Sequence, residues 1–232
     1  HTRIMEKGKL YIISTPIGNI SDITLRAIEK LKEVDIILSE DTRETDKILK
    51  KYEINKPQVS YRDQNHDRIF PKIVEYLDNG LNLALVSDSG TPLISDPGYK
   101  LVRDLIKRDF EIVSIPGPCA AISSLVSSGF PTDKFCFIGF LPRSSNDRAN
   151  ILKKYGNLDC TLIIYESPFR VEKLLLEVKE NLGNRYVCLS QEITKLHEKI
   201  SRGYVDCIYE EIRGKKLKGE FIVLVGKEGF IL

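Results

Sequence analysis

Leu83-Ala84-Leu85-Val86-Ser87-Asp88-Ser89-Gly90-Thr91-Pro92 is the stretch that decides the fold. Four consecutive apolar residues read as a strand buried on both faces, the pattern of a parallel sheet. A small polar turn with Gly and Pro then ends it. Just upstream, Asp67 to Asp78 reads as a helix stopped by Asn79-Gly80. Just downstream, Tyr99 to Lys107 reads as a helix and Glu111 to Ile115 as a strand. The alternation continues towards the N-terminus. There lie strand Leu10 to Ile13 and a helix capped by Ser21 or Asp22, with Leu25, Ile28 and Leu31 at helical spacing. Strand Val34 to Leu38, helix Thr42 to Tyr52 and the short strand Val59 to Tyr61 follow. Towards the C-terminus, a helix from Cys119 to Ser128 meets the break Gly129-Phe130-Pro131-Thr132. Beyond it come strand Phe135 to Phe140, helix Asp147 to Tyr155, strand Thr161 to Tyr165, helix Pro168 to Asn181 and strand Tyr186 to Leu189. A helix Val205 to Ile212 and a strand Phe221 to Val225 complete the pattern. The alternation up to Ser128 predicts an α/β fold, a mostly parallel sheet with helices on its faces. The break sets a domain boundary, giving an N-terminal α/β domain over 5–128 and a C-terminal α/β domain over 129–232.

Composition excludes several classes. Over 232 residues, 42% hydrophobic and 29% charged is a globular mix and not a disordered one. A net charge of +2 is no nucleic-acid coat, so any RNA contact must use a local basic patch; no DNA partner is expected. Cys119, Cys136, Cys160, Cys188 and Cys207 are odd in number and form no C-x-x-C pair. That speaks against a disulfide framework and a zinc knuckle, and for a reduced, cytoplasmic protein. No apolar run reaches about 18 residues, so no membrane-spanning helix is expected. Met5 is the sole methionine; translation is read as starting there, residues 1–4 as an added leader, and His1 is set aside from the chemistry.

In open α/β sheets, ligands bind beyond the carboxyl ends of the strands. Three such ends here are rich in Gly, Pro and small polar residues: Ser14 to Asn19, Ser87 to Pro92 and Pro116 to Ala121. Singly, each is also an ordinary tight turn; together at one sheet edge they point to a ligand. None matches G-x-x-x-x-G-K-[ST] or G-x-G-x-x-G, against nucleotide hydrolysis and an ordinary dinucleotide fold. A ligand held by backbone atoms without a phosphate cradle suits an adenosine carrying a charged amino-acid tail. Three charged runs follow other strands: Ser39-Glu40-Asp41-Thr42-Arg43, Tyr165-Glu166-Ser167-Pro168-Phe169-Arg170 and Glu192-Ile193-Thr194-Lys195-Leu196-His197-Glu198. In the first, Asp41 or Thr42 also reads as a helix N-cap. In the second, Pro168 reads as a helix start. His66 reads as part of a helix start between Asn65 and Asp67.

Taken in order, Pro16-Ile17-Gly18-Asn19, Ser39 to Arg43, Val86 to Gly98 (VSDSGTPLISDPG), Ile115 to Ala121 (IPGPCAA), Tyr165 to Arg170 (YESPFR) and Glu192 to Glu198 (EITKLHE) resemble the ribosomal RNA small subunit methyltransferase I family, part of the tetrapyrrole methylase superfamily. The resemblance runs from about residue 10 to residue 226. It implies two α/β domains with a cofactor cleft between them, a homodimer, and methyl transfer from S-adenosylmethionine to the ribose 2′-hydroxyl of a cytidine in 16S ribosomal RNA within the small subunit. Carried over by motif, the cofactor-binding residues are Pro16, Gly18, Asp88, Gly90, Thr91, Pro92, Cys119 and Ala120, with Tyr165 and Glu166 from the second half. The chain departs from the pattern at Ser89, where alanine is expected, and at Arg143-Ser144-Ser145; many members also extend beyond the point that corresponds to Leu232.

A ribose hydroxyl is a weak nucleophile and gains from a nearby proton acceptor, while positioning supplies much of the remaining rate. Glu40, Asp41, Glu192 and His197 are the candidate acceptors; Arg43, Arg170 and Lys195 would hold phosphates or orient carboxylates. No metal is implied. The flipped cytidine would stack on Tyr61 or Phe169, unless these aromatics belong to the core. Lys47 to Lys51, Lys153-Lys154 and Lys215 to Lys218 read either as an RNA footprint or as solvated faces. Glu40, Asp41 and Arg43 are expected to share a ribose site with Glu192, Lys195 and His197. The rival readings are a superfamily methylase acting on a tetrapyrrole or a protein side chain, and a non-catalytic RNA-binding ribosome-assembly factor.

Overall fold

Along the first strands, neighbouring residues enter different cores, the period-two signature of a sheet covered on both faces. A computed structural model describes residues 6–232; Met5 and His1, discussed above, lie outside the described residues. Strands β1 (Leu10–Ile13), β2 (Ile36–Ser39), β3 (Gln58–Ser60), β4 (Leu83–Val86) and β5 (Ile112–Ile115) form one sheet in the order β3-β2-β4-β1-β5, with every pair parallel. Leu83 and Leu85 pack on one side with Ile73 and Leu77 of α3 (His66–Asp78) and Leu101 and Leu105 of α4 (Tyr99–Ile106). Ala84 and Val86 face the other side, with Ala27 and Leu31 of α1 (Leu25–Glu33) and Leu49 of α2 (Thr42–Lys51). Helix α1 is capped by Thr24, whose hydroxyl accepts from the Ala27 amide at 3.0 Å, and not by Ser21 or Asp22. Those two residues sit in a preceding short turn of 3-10 helix capped by Asn19.

The chain divides into two compact units, the first ending at Cys119 and the second spanning Ala120–Leu232. The sequence break lies about nine residues later; helix α5 (Ala120–Val126) goes with the second unit because it packs against that unit's sheet. That sheet comprises β6 (Phe135–Phe140), β7 (Thr161–Glu166), β8 (Tyr186–Gln191), β9 (Lys199–Tyr204) and β10 (Phe221–Val225), in the order β6-β7-β10-β8-β9.

The mostly parallel sheet expected of the first half is the one observed there, while the second sheet is mixed. Only β6 and β7 run parallel; β10 is antiparallel to both β7 and β8, and β8 to β9. The β8–β9 link, residues 192–198, is too short for the crossover a parallel pair needs, which takes a dozen or more residues. Strand β9 itself escaped the sequence reading. As an edge strand with Lys199, Arg202 and Gly203, it carries no apolar run.

Helices α6 (Ser145–Gly156), α7 (Val171–Leu182) and α8 (Val205–Ile212) bury Leu152, Leu174, Leu175, Val178 and Ile208 against the second sheet. Among them lies a buried charge cluster. Arg148, 1% exposed, donates to both Glu177 oxygens through Nε, at 3.0 Å each, and to Glu177 Oε1 through Nη2 at 2.8 Å. The same Nη2 reaches Glu166 Oε2 at 3.3 Å, and Nη1 donates to the Pro142 carbonyl. Removing one partner of such a cluster leaves buried charge uncompensated. Arg148→Ala is therefore expected to cost roughly 3–5 kcal/mol of stability. Urea unfolding of the variant checks this, and a loss below about 1 kcal/mol, the size of an exposed pair, would contradict it.

Candidate functional site

At the carboxyl edge of the first sheet, three strand ends are tied together by backbone and hydroxyl groups. Thr15, just past β1, and Gly90, past β4, exchange two backbone hydrogen bonds of 3.0 and 3.1 Å. Gly90 has φ +77°, and a Cβ there would lie 3.1 Å from Ile17 Cγ2 and 3.7 Å from the Pro118 carbonyl oxygen. Thr91 donates through Oγ1 to the Pro118 carbonyl at 2.9 Å, so the 2.9 Å contact between the Thr91 and Ser14 hydroxyls must be donated by Ser14. Thr15 Oγ1 donates to the Ser87 carbonyl, and Ser87 Oγ to the carbonyls of Ser89 and Gly90. The three Gly- and Pro-rich loops thus form one connected rim. Pro16, Thr91 and Cys119 are half-buried on their loops, Gly90 and Pro92 are buried, and Gly18 and Asp88 are exposed; Ala120, half-buried, opens α5 of the second unit.

Beside this rim stands the acidic run after β2. Asp41 caps α2, accepting from the Arg43 amide at 3.0 Å, as the sequence allowed. Its carboxylate is also gripped at 3.2 Å by both Nε and Nη2 of Arg43, which holds Asp41 below the usual carboxylate range. The Asp41 amide in turn donates to Asp88 Oδ1 at 3.0 Å, linking the β2 loop to the β4 loop. Glu40 is different. Its Oε2 is buried with no hydrogen-bond partner. Desolvation, then the neighbouring Asp88 carboxylate, pushes its pKa above the ordinary 4.5. Asp88 moves upward as well, desolvation again leading.

The sheet's fifth loop, after β3, supplies residues the sequence reading passed over. Arg62 donates through Nε to the Glu40 carbonyl at 3.2 Å. Asp63 Oδ1 accepts from the Gly98 amide at 3.4 Å. Tyr61 is 0% exposed and cannot stack on a base; it belongs to the core. Its hydroxyl meets His66 Nδ1 at 2.8 Å, and His66 Nε2 meets Asp104 Oδ2 at 2.8 Å. Hydrogen bonds from Arg103, then from His66, hold Asp104 down at about 2, so it is ionised at neutral pH. Nε2 therefore carries a proton, and in the neutral imidazole Nδ1 accepts from Tyr61. Only a contact 38 residues away in sequence gives His66 this role, which no local pattern betrays.

The chain is 43% identical over 224 residues to the ribosomal RNA small subunit methyltransferase I of Halalkalibacterium halodurans, spanning 97% of this chain and 78% of that one. Against the protein of the same name from Thermotoga maritima it is 44% identical over 222 residues, 95% of this chain and 100% of the other. The chain belongs to the ribosomal RNA small subunit methyltransferase I family. The model of the tetrapyrrole (corrin/porphyrin) methylases matches residues 9–208 of this family member. A crystal structure of diphthine synthase, only 12% identical, shares the fold at a TM-score of 0.72, covering 94% of this chain and 90% of that one.

In the second unit of this methyltransferase-family chain, the predicted residues hold one another. The Tyr165 hydroxyl accepts from the Ala121 amide at 3.0 Å, and its ring lies edge-on to Phe137 and Phe140. Glu166 is 5% exposed; Oε2 meets Arg148 and Oε1 accepts from the Ser167 amide, so both oxygens are occupied. Phe169, 92% exposed, is an open aromatic surface, and Arg170 beside it is exposed. Glu192, with φ +54°, accepts from the Glu220 amide at 3.0 Å and pairs with Lys195 Nζ at 3.0 Å. Gly219 makes this possible, because any Cβ there would collide with the Glu192 carboxylate. His197 is exposed on the same turn. Of the basic runs, Lys47 and Lys50 pair with Glu44 and Asp46 along α2, the pattern of a solvated helix face. Among the described residues, no helix is long and apolar enough to cross a membrane.

The raised Glu40 carboxyl has a consequence for stability. The folded protein holds this proton more tightly than the unfolded chain, so its contribution to stability falls as pH rises from near 4.5 through the raised folded value. Glu40→Gln, neutral at every pH, is expected to unfold at a higher temperature than the parent at pH 7 and to lose that advantage at pH 4. Thermal melts at the two pH values check the sign; an equal difference at both would refute the argument.

Proposed function

We propose that this chain is an S-adenosylmethionine-dependent methyltransferase that methylates the ribose 2′-hydroxyl of a cytidine in 16S ribosomal RNA of the small subunit. The observation that carries the reading is the connected rim of Ser14–Asn19, Ser87–Pro92 and Pro116–Cys119, in a chain 43–44% identical over nearly its whole length to proteins named ribosomal RNA small subunit methyltransferase I. The rim fits the cofactor in kind. It presents backbone, hydroxyl and carboxylate groups, and a glycine that keeps its inner side free of a Cβ. Of the residues expected from the resemblance, Pro16, Gly18, Asp88, Gly90, Thr91, Pro92 and Cys119 of the first unit would hold the group. S-adenosylmethionine, when bound, supplies an electrophilic methyl on a sulfonium.

The chain's own residues must orient the hydroxyl and take its proton. Of the four candidate acceptors, Asp41 is already paired with Arg43, and Glu192 with Lys195. Glu40 Oε2 has no partner, and its proton affinity is raised towards the range in which a carboxylate works as a base. Glu40 is therefore the proposed acceptor. Arg43, Lys195 and His197 are proposed to meet the RNA, with Phe169 as the stacking surface. The protein is proposed to act in the cytoplasm as a homodimer.

Three measurements test this reading. Undermodified 30S subunits and naked 16S RNA are incubated with tritiated-methyl S-adenosylmethionine, and the product is mapped by mass spectrometry. A labelled cytidine 2′-O-methyl is expected, and no incorporation into either substrate would refute the function. Glu40→Gln should lower the transfer rate by about 10²-fold or more without altering cofactor affinity; a rate near the parent's would remove Glu40 as the acceptor. Gly90→Val should weaken S-adenosylmethionine binding at least about tenfold, roughly 1.4 kcal/mol, in calorimetry. An unchanged affinity in a protein with parental circular dichroism would remove this loop from the cofactor site.

A further inference from the structure

The acidic rim poses a problem for an RNA substrate. Glu40, Asp41 and Asp88 cluster at the edge of the first sheet, and three carboxylates repel a polyanion. Arg43 does not solve it alone, since its Nε and Nη2 are spent on Asp41. The other cation of this cluster is Arg62, which is exposed and charge-coupled to all three carboxylates. Its Nε–H is used on the Glu40 carbonyl; among the described residues Nη1 and Nη2 make no hydrogen bond or ion pair. Four of the five guanidinium donors therefore remain for a ligand, on a fork whose stem is anchored.

The loop that carries Arg62 is held with unusual care for an exposed turn. The Arg62 amide donates to Asn65 Oδ1 at 2.9 Å, and Asn65 Nδ2 returns to the Ser60 carbonyl at 3.1 Å. Asp63 ties the loop to Gly98. Beneath it, Tyr61 is bonded to His66, and His66 to Asp104 on α4. A tyrosine–histidine–aspartate chain, buried at Tyr61 and His66 and half-buried at Asp104, thus roots the residue next to Arg62 in the helical layer. None of this polar order is needed to close a βα connection.

We propose that Arg62 is a substrate-binding residue that grips a backbone phosphate of the RNA next to the methylated nucleotide, with Tyr61, His66 and Asp104 as its positioning residues. The inference rests on the RNA-methyltransferase reading above and names a contact within that site. A fixed guanidinium beside the proposed proton acceptor draws the polyanion in against the local acidic field.

The test separates this contact from the reading it rests on. Filter binding of 16S RNA transcribed in vitro is measured against salt for the parent, Arg62→Gln, Arg62→Lys and Tyr61→Phe, alongside methyl transfer and calorimetry with S-adenosylmethionine. One lost phosphate contact lowers the slope of log affinity against log salt by about 0.7–0.9. Arg62→Gln should show that drop and a higher KM for RNA, with kcat and cofactor affinity close to the parent's. Arg62→Lys should keep the slope, because it keeps the charge, but bind more weakly for want of the fork. Tyr61→Phe should raise KM while keeping the slope. An unchanged slope in Arg62→Gln overturns the phosphate contact, and an unchanged KM in Tyr61→Phe overturns the positioning chain. If the parent binds RNA but transfers no methyl, the functional reading fails while the slopes still decide on Arg62.

Discussion

Two backbone hydrogen bonds between Thr15 and Gly90 are the constraint on which the candidate site depends. They join the ends of adjacent parallel strands, where a sheet normally leaves its loops to diverge. They require Gly90 at φ +77°, a conformation glycine adopts without steric cost. Once the two ends are joined, Thr91 falls between Ser14 and the Pro118 carbonyl, and the third loop is drawn in. Asp88, on the same turn, reaches the Asp41 amide and brings the acidic run of β2 alongside. A single short bridge thereby converts four independent βα connections into one surface.

The two units treat buried charge in opposite ways, and the contrast separates architecture from chemistry. Arg148 in the second unit satisfies Glu166 and Glu177 with every oxygen engaged or in contact, and the cluster fixes the end of β7 against α6 and α7. Such an arrangement is structural: it has nothing left to give a ligand. Glu40 in the first unit is left with an oxygen unpartnered and a carboxyl pushed towards protonation by its surroundings. Proteins tolerate that cost chiefly where a group has work to do. The same logic ranks the candidate acceptors, since Asp41 and Glu192 are held in ion pairs while Glu40 Oε2 has no partner.

Much of this was legible in the chain itself. The apolar tetrad Leu83 to Val86, and its counterparts at Leu10 to Ile13 and Ile36 to Leu38, announce a buried parallel sheet because both faces must be apolar there. The Gly- and Pro-rich strand ends announce the loops that join at the carboxyl edge, because close backbone approach needs those residues. Local chemistry also sufficed for the Asp41 cap. Other features were illegible for equally physical reasons. Strand β9 has the composition of an exposed edge, and the antiparallel insertion of β10 between β7 and β8 follows from pairing, which no single segment encodes.

What the sequence determined by itself, then, was everything carried by periodicity and turn chemistry: the α/β alternation, the loops at the strand ends, and the family those loops resemble. The tertiary structure alone decided which polar groups are spent and which are free. Tyr61 read equally well as a stacking surface or as core until burial settled it, and His66 acquired its partner on α4 from 38 residues away. Arg62 carried no motif at all; its place beside Glu40 arises because β2 and β3 lie side by side in the sheet. Burial and partnership are properties of the folded surroundings, and a residue's own neighbours in sequence do not contain them.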